Sequence, residues 1–134
     1  MNQNSLKEMF ELAYAAMKKA YMPYSKFSVG ACVKDEQNNW YTGCNIENVS
    51  YSLTLCAEAV ALGNLISHGG KRITEVAIVA SSDEIISPCG ACRQRFREFC
   101  DPGVKIHLFN QKGEHQETTM VELLPFSFNT KNME

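Results

Sequence analysis

Val76-Ala77-Ile78-Val79-Ala80 is a short, uninterrupted apolar run, the pattern of a strand covered on both faces. Ser87-Pro88 then opens a helix that carries Cys89 and Cys92 and runs to about Cys100. Asp101-Pro102-Gly103 turns the chain into Val104 to Phe109, a second buried strand. Strand, helix and strand in this order make the core of an α/β unit. Upstream, Cys56 to Ser67 is rich in Ala and Leu, has Thr54 as its N-cap and is stopped by Gly69-Gly70. Before it, Phe27, Val29, Ala31 and Val33 alternate as in a strand with one buried face. A polar turn, Asp35 to Asn39, joins that strand to another at Trp40 to Cys44.

At the N-terminal end, Ser5 and Glu8 form a capping-box pattern. Leu6, Met9, Phe10, Ala13, Met17 and Ala20 recur at helical spacing in a helix that ends before Pro23. At the other end a weak strand is expected near Gln116 to Thr119 and a short helix at Val121 to Leu124. The order α-β-β-α-β-α-β-β-α predicts an α/β fold: a three-layer α/β/α sandwich with a central mixed five-stranded sheet, residues 1–134 forming one domain.

The composition narrows the function. The chain has 134 residues, is 45% hydrophobic and carries a net charge of -2, which fits a globular protein with a full core. That charge argues against a protein held to nucleic acid by its phosphates, and against a basic membrane-surface protein. No apolar run approaches the ~18 residues of a membrane span, and Met1 to Glu8 lack an apolar signal core. The expected location is cytoplasmic, where thiols stay reduced. The six cysteines, Cys32, Cys44, Cys56, Cys89, Cys92 and Cys100, therefore need an explanation other than disulfides.

Cys89-Gly90-Ala91-Cys92 alone has three readings: a zinc chelate, a redox dithiol, or two small buried residues. A third thiol at the start of another helix, Cys56, raises zinc above the other two. Three protein ligands leave the fourth tetrahedral position open, the mark of a catalytic rather than a structural site. Cys56-Ala57-Glu58 followed by Pro88-Cys89-x-x-Cys92 reproduces the zinc-deaminase signature, with cysteine in the first ligand position. Cys32, Cys44 and Cys100 are read as core residues, although Cys32 falls on the strand face opposite Val29, Ala31 and Val33.

At these residues the chain resembles the small homotetrameric cytidine deaminases. The resemblance extends through Pro23 to Ala31, through Gly43-Cys44-Asn45-Ile46-Glu47-Asn48, through Ser87 to Gln94, and to Glu122-Leu123-Leu124-Pro125 with Phe128. It implies hydrolytic deamination of cytidine and deoxycytidine, with one zinc ion per subunit held by Cys56, Cys89 and Cys92. Such chemistry needs a metal because bulk water, with a pKa of about 15.7, is a poor nucleophile, whereas zinc brings a bound water to about 7. Glu58 is the expected proton carrier, working between the attacking water, ring N3 and the departing amine. The resemblance also places Phe27 against the pyrimidine, Asn45 and Glu47 on ribose hydroxyls, Ala57 in the substrate site, and Phe128 in a neighbouring subunit's site. The implied partners are a nucleoside and three further copies of the chain, with no nucleic-acid polymer and no membrane.

One residue departs from the pattern. Many relatives carry Arg after the catalytic Glu, where it offsets thiolate charge; here the residue is Ala59. The expectation is that two helix N-termini, with Arg93, supply the positive field instead. Arg93, Arg95 and Arg97 otherwise read as a solvated helix face. Ala59 also leaves open a blasticidin S-type deaminase, and a non-catalytic zinc-binding homologue is a reading from a different class. A polynucleotide-editing deaminase is disfavoured by the short chain and the lack of a basic groove.

Overall fold

The computed structural model describes residues 3–133; Met1, Asn2 and Glu134, at the ends of the span read as one domain, lie outside them. The elements follow in the expected order: α1 (Gln3–Met17), β1 (Val29–Asp35), β2 (Trp40–Cys44), α2 (Ala57–Ser67), β3 (Ile73–Ala80), α3 (Gly90–Phe99), β4 (Cys100–Phe109), β5 (His115–Thr119) and α4 (Met120–Leu123). The sheet runs β2-β1-β3-β4-β5, with β3 and β4 parallel and the other neighbours antiparallel. A helical crossover is what a parallel pair requires, and α3 supplies it.

Two apolar layers hold the helices to the sheet. On one face Ala57, Ala61 and Leu65 of α2, Phe96 of α3 and Met120 of α4 pack on Ala31, Val33, Val76, Ile78, Ile106 and Leu108. On the other, Met9, Ala13 and Met17 of α1 cover Cys32, Ala77, Val79 and Phe109. The sandwich is therefore three-layered, and β1 is buried on both faces rather than one. Cys32 is fully buried under α1, and burial pushes its thiol up to about 12. Cys100 is raised to about 12 for the same reason, while Cys44 is only half-buried.

Local signals shift by a few residues. Helix α1 is already formed at Gln3, so Ser5 lies inside it and is not an N-cap, and it stops at Met17, leaving Ala20 in the following turn. Cys56, not Thr54, caps α2. Helix α3 begins at Gly90 with Cys89 as its cap, one turn later than Ser87-Pro88 would place it. The Asp101-Pro102-Gly103 stretch belongs to β4, whose pairing with β3 jumps from Ile73↔Cys100 to Glu75↔Lys105, so the extra residues bulge. The Asp35 to Asn39 turn is closed by the buried Asp35 carboxylate, which accepts from the backbone N–H of Gln37 at 2.9 Å and of Asn39 at 2.8 Å.

Glycine lets two helices approach the sheet closely. A Cβ on Gly43 of β2 would lie 2.4 Å from the Ala61 nitrogen and 2.5 Å from the Ala57 oxygen, so this glycine seats the first turns of α2. A Cβ on Gly30 of β1 would lie 1.9 Å from the Ala13 carbonyl oxygen, backbone that cannot move aside. No helix among the described residues is long and apolar enough to cross a membrane. Gly30→Ala is expected to lower unfolding stability by about 3 kcal/mol, read from the urea midpoint; an unchanged midpoint would show that α1 is not seated this tightly.

Candidate active site and metal centre

The three signature thiols converge because two helices begin at one place. Cys56 caps α2, Cys89 caps α3, and Cys92 lies in the first turn of α3. Helix α3 starts beyond the carboxyl end of β3, the edge at which open α/β sheets bind ligands. The three Sγ atoms all lie within 4.8 Å of one another. Tetrahedral zinc with Zn–S bonds of about 2.3 Å needs its sulfurs about 3.8 Å apart, so this donor set fits the ion with small side-chain adjustments. All six cysteines are free, which excludes a Cys89–Cys92 disulfide here.

The local field favours thiolate at Cys56. Cys92 donates to the Cys56 sulfur, and this bond, with help from Cys89 and Arg95, draws the Cys56 thiol down to about 6. The same bond, together with burial, pushes Cys92 up. Both helix starts point N–H groups and partial positive charge towards the sulfurs.

A cavity of about 250 Å³ opens beside the thiols. Its wall is mostly apolar, with Phe27, Val29, Ala57, Ile78, Ile86 and Pro88, and Cys56 and Cys89 stand at one side. Glu58 is the only carboxylate among the described lining residues and is 6% exposed. Burial pushes its carboxyl above the usual range, the neighbouring Cys56 charge adds to the rise, and Arg95 opposes it. A carboxyl so placed is suited to holding and releasing protons rather than to pairing with solvent.

The remaining expected site residues divide. Asn45 lines the cavity, its Oδ1 accepting from Val29 N–H at 2.9 Å and its Nδ2 donating to the Phe27 carbonyl at 2.8 Å. Glu47 is buried but is not among the lining residues; its carboxylate accepts from the N–H groups of Tyr24 and Ser25. Bonds from the Ser25 side chain and these two N–H groups hold Glu47 below the usual carboxylate range. Both side chains thus brace the loop that presents Phe27. Phe128 lies away from this cavity, 60% exposed, beside Glu98 and Asn129 in a separate surface depression.

The arginines of α3 are not one solvated face. Arg93 donates to the carbonyls of Pro88 and Leu123, both at 2.8 Å, and to Ser87 Oγ at 2.9 Å, so it does not reach the sulfurs as expected. Arg97 bonds Ser127 Oγ and the Cys100 carbonyl. Arg95, expected on a solvated helix face, instead donates from Nη1 to Cys92 Sγ at 3.4 Å. The available signal was its place one turn beyond Cys92.

Known proteins agree with this geometry. Residues 3–108 match the family model described as the cytidine and deoxycytidylate deaminase zinc-binding region. A cytidine deaminase from Sporosarcina psychrophila is 45% identical over 88% of this chain and 87% of its own length. The blasticidin-S deaminase of Bacillus cereus is 31% identical, with 96% of this chain and 97% of the relative covered. The crystal structure of cytidine deaminase from Burkholderia pseudomallei superposes with a TM-score of 0.87 at 38% identity, over 96% of this chain and all of that one. Taken with the three converging thiols, these matches show that the chain belongs to the cytidine and deoxycytidylate deaminase family.

Proposed function

We propose that the protein deaminates cytidine and deoxycytidine to uridine and deoxyuridine, using water and releasing ammonia. The observation that carries this reading is a buried carboxyl, Glu58, facing a nucleoside-sized apolar cavity two residues beyond one of three converging thiols. Cys56, Cys89 and Cys92 hold zinc, which when bound supplies a water of lowered pKa.

The chain's own residues do the rest. Glu58 accepts a proton from the attacking water as the C4–O bond forms and passes it to ring N3. It then takes the proton of the new C4 hydroxyl and gives it to the exocyclic nitrogen, so that the C4=O bond forms as the C4–N bond breaks and ammonia leaves. Phe27 and the aliphatic wall pack against the pyrimidine and keep bulk water from the ring. The second amide hydrogen of Asn45 donates to one ribose hydroxyl and Glu47 accepts from another, while Ala57 leaves room for the base. Cytidine-type deamination places the protein in pyrimidine salvage. Six free thiols support a cytoplasmic location, and residues 1–134 act as one catalytic domain.

We also read the assembly as a homotetramer whose sites are completed by Phe128 of a neighbour. Large side chains stand in solvent on the segment before α2 and at the chain's end: Tyr51 at 68%, Leu53 at 63%, Phe126 fully exposed and Phe128 at 60%. Large apolar side chains left in solvent are the kind that interaction sites cover. The likeness to blasticidin-S deaminase makes that antibiotic the second substrate to assay.

Three outcomes test the reading. Zinc-loaded protein mixed with cytidine is expected to show the ultraviolet absorbance fall of deamination, and Glu58→Ala to lower kcat by about a thousandfold; full activity in that variant would overturn the mechanism. A chelator is expected to abolish turnover and zinc alone to restore it, whereas activity persisting in verified metal-free protein would remove the metal from the reaction. Glu58→Ala and Phe128→Ala chains, each weak alone, are expected to regain activity when co-assembled, because one chain lends Phe128 to the other's intact Glu58. No gain on mixing would place Phe128 in its own chain's site.

A further inference from the structure

Three thiolates around a divalent cation carry one net negative charge, and electron-rich sulfur weakens the metal's pull on its fourth partner. Such a centre works best when cationic donors draw density from the sulfurs, and groups outside the ligand shell tune a metal this way. Arg95 is the guanidinium aimed at this cluster, its Nη1 3.4 Å from Cys92 Sγ. Its neighbours Arg93 and Arg97 are committed to the Leu123 carbonyl and Ser127 Oγ. Among the described residues Arg95 makes no ion pair with a carboxylate, although its charge also acts at longer range on Glu58.

The placement is symmetrical. Arg95 sits three residues beyond Cys92 on α3, and Ala59 sits three residues beyond Cys56 on α2. Residues three apart share a helix face, so either position looks back on its own helix's thiol. Arg95 is also absent from the cavity wall, which separates its effect from substrate binding.

We propose that Arg95 is a positioning residue that neutralises the sulfur cluster through Cys92, doing from α3 the work that a side chain at position 59 of α2 is too short to do. The inference rests on the reading that Cys56, Cys89 and Cys92 hold the metal. Arg95 withdraws electron density from Cys92 Sγ, which keeps the metal a strong Lewis acid, and it makes no contact with the nucleoside.

The test replaces zinc with Co²⁺ and reads the sulfur-to-cobalt charge-transfer band, alongside kcat and KM of the zinc protein. Arg95→Ala is expected to move the band to lower energy and to lower kcat about 10- to 100-fold with KM unchanged. Arg95→Lys is expected to keep the band near its original position. Ala59→Arg added to Arg95→Ala is expected to restore both band and kcat. A band and kcat unaltered in Arg95→Ala would overturn the inference, as would a shifted band that Ala59→Arg leaves unrestored. Unaltered protein that takes up Co²⁺ without such a band would overturn the three-thiol site itself, and the inference with it.

Discussion

Two helix starts held a few ångströms apart are the constraint on which the site depends. Thiols are poor metal ligands while protonated, and each helix start lowers the cost of removing the proton by presenting N–H groups and partial positive charge. Cys56 and Cys89 occupy the cap positions of α2 and α3, and Cys92 follows in the next turn, so three sulfurs share one small volume. That closeness is a property of the whole sheet. Helix α2 is seated by the missing side chain of Gly43, and α3 by Phe96 locked in the core beneath it.

Around this centre the protein separates two environments a few residues apart. The Cys56 thiol lies where charge is favoured, whereas Glu58, two residues on, lies where burial disfavours it. A carboxyl that resists ionisation can carry a proton between water and base, which a solvated glutamate on a helix surface would do poorly. The polar residues on the opposite side have a different task. Asn45 and Glu47 are tied to backbone groups between Tyr24 and Val29, so the loop bearing Phe27 is fixed before any ligand arrives.

Helix α3 is also a hub for the C-terminal segment. Arg93, Gln94 and Arg97 bond Leu123, Phe128 and Ser127 in turn, anchoring the stretch that exposes Phe126 and Phe128. The same helix therefore carries Cys89 and Cys92 at its start, turns Arg95 back on Cys92 one turn on, and holds the C-terminal segment along its side. Its three arginines stand at alternate positions, and steps of about 100° per residue put Arg93 and Arg97 on one face, towards Leu123 and Ser127, and Arg95 on another, towards Cys92.

Element order, the buried strands Val76–Ala80 and Val104–Phe109, and the thiol-x-carboxyl and Cys-x-x-Cys pairs were legible in the sequence, because apolar periodicity and ligand spacing are local properties. Ser5 misled because a capping pattern does not exclude a helix that starts earlier. Cys32 misled because alternation shows which face is more apolar, not whether α1 covers the other. Which arginine meets a sulfur, which glutamate is buried, and where Phe128 lies were decided only by tertiary structure. Those outcomes depend on how helices pack across the sheet, and distances between side chains far apart in the chain are set by that packing rather than by any spacing along it.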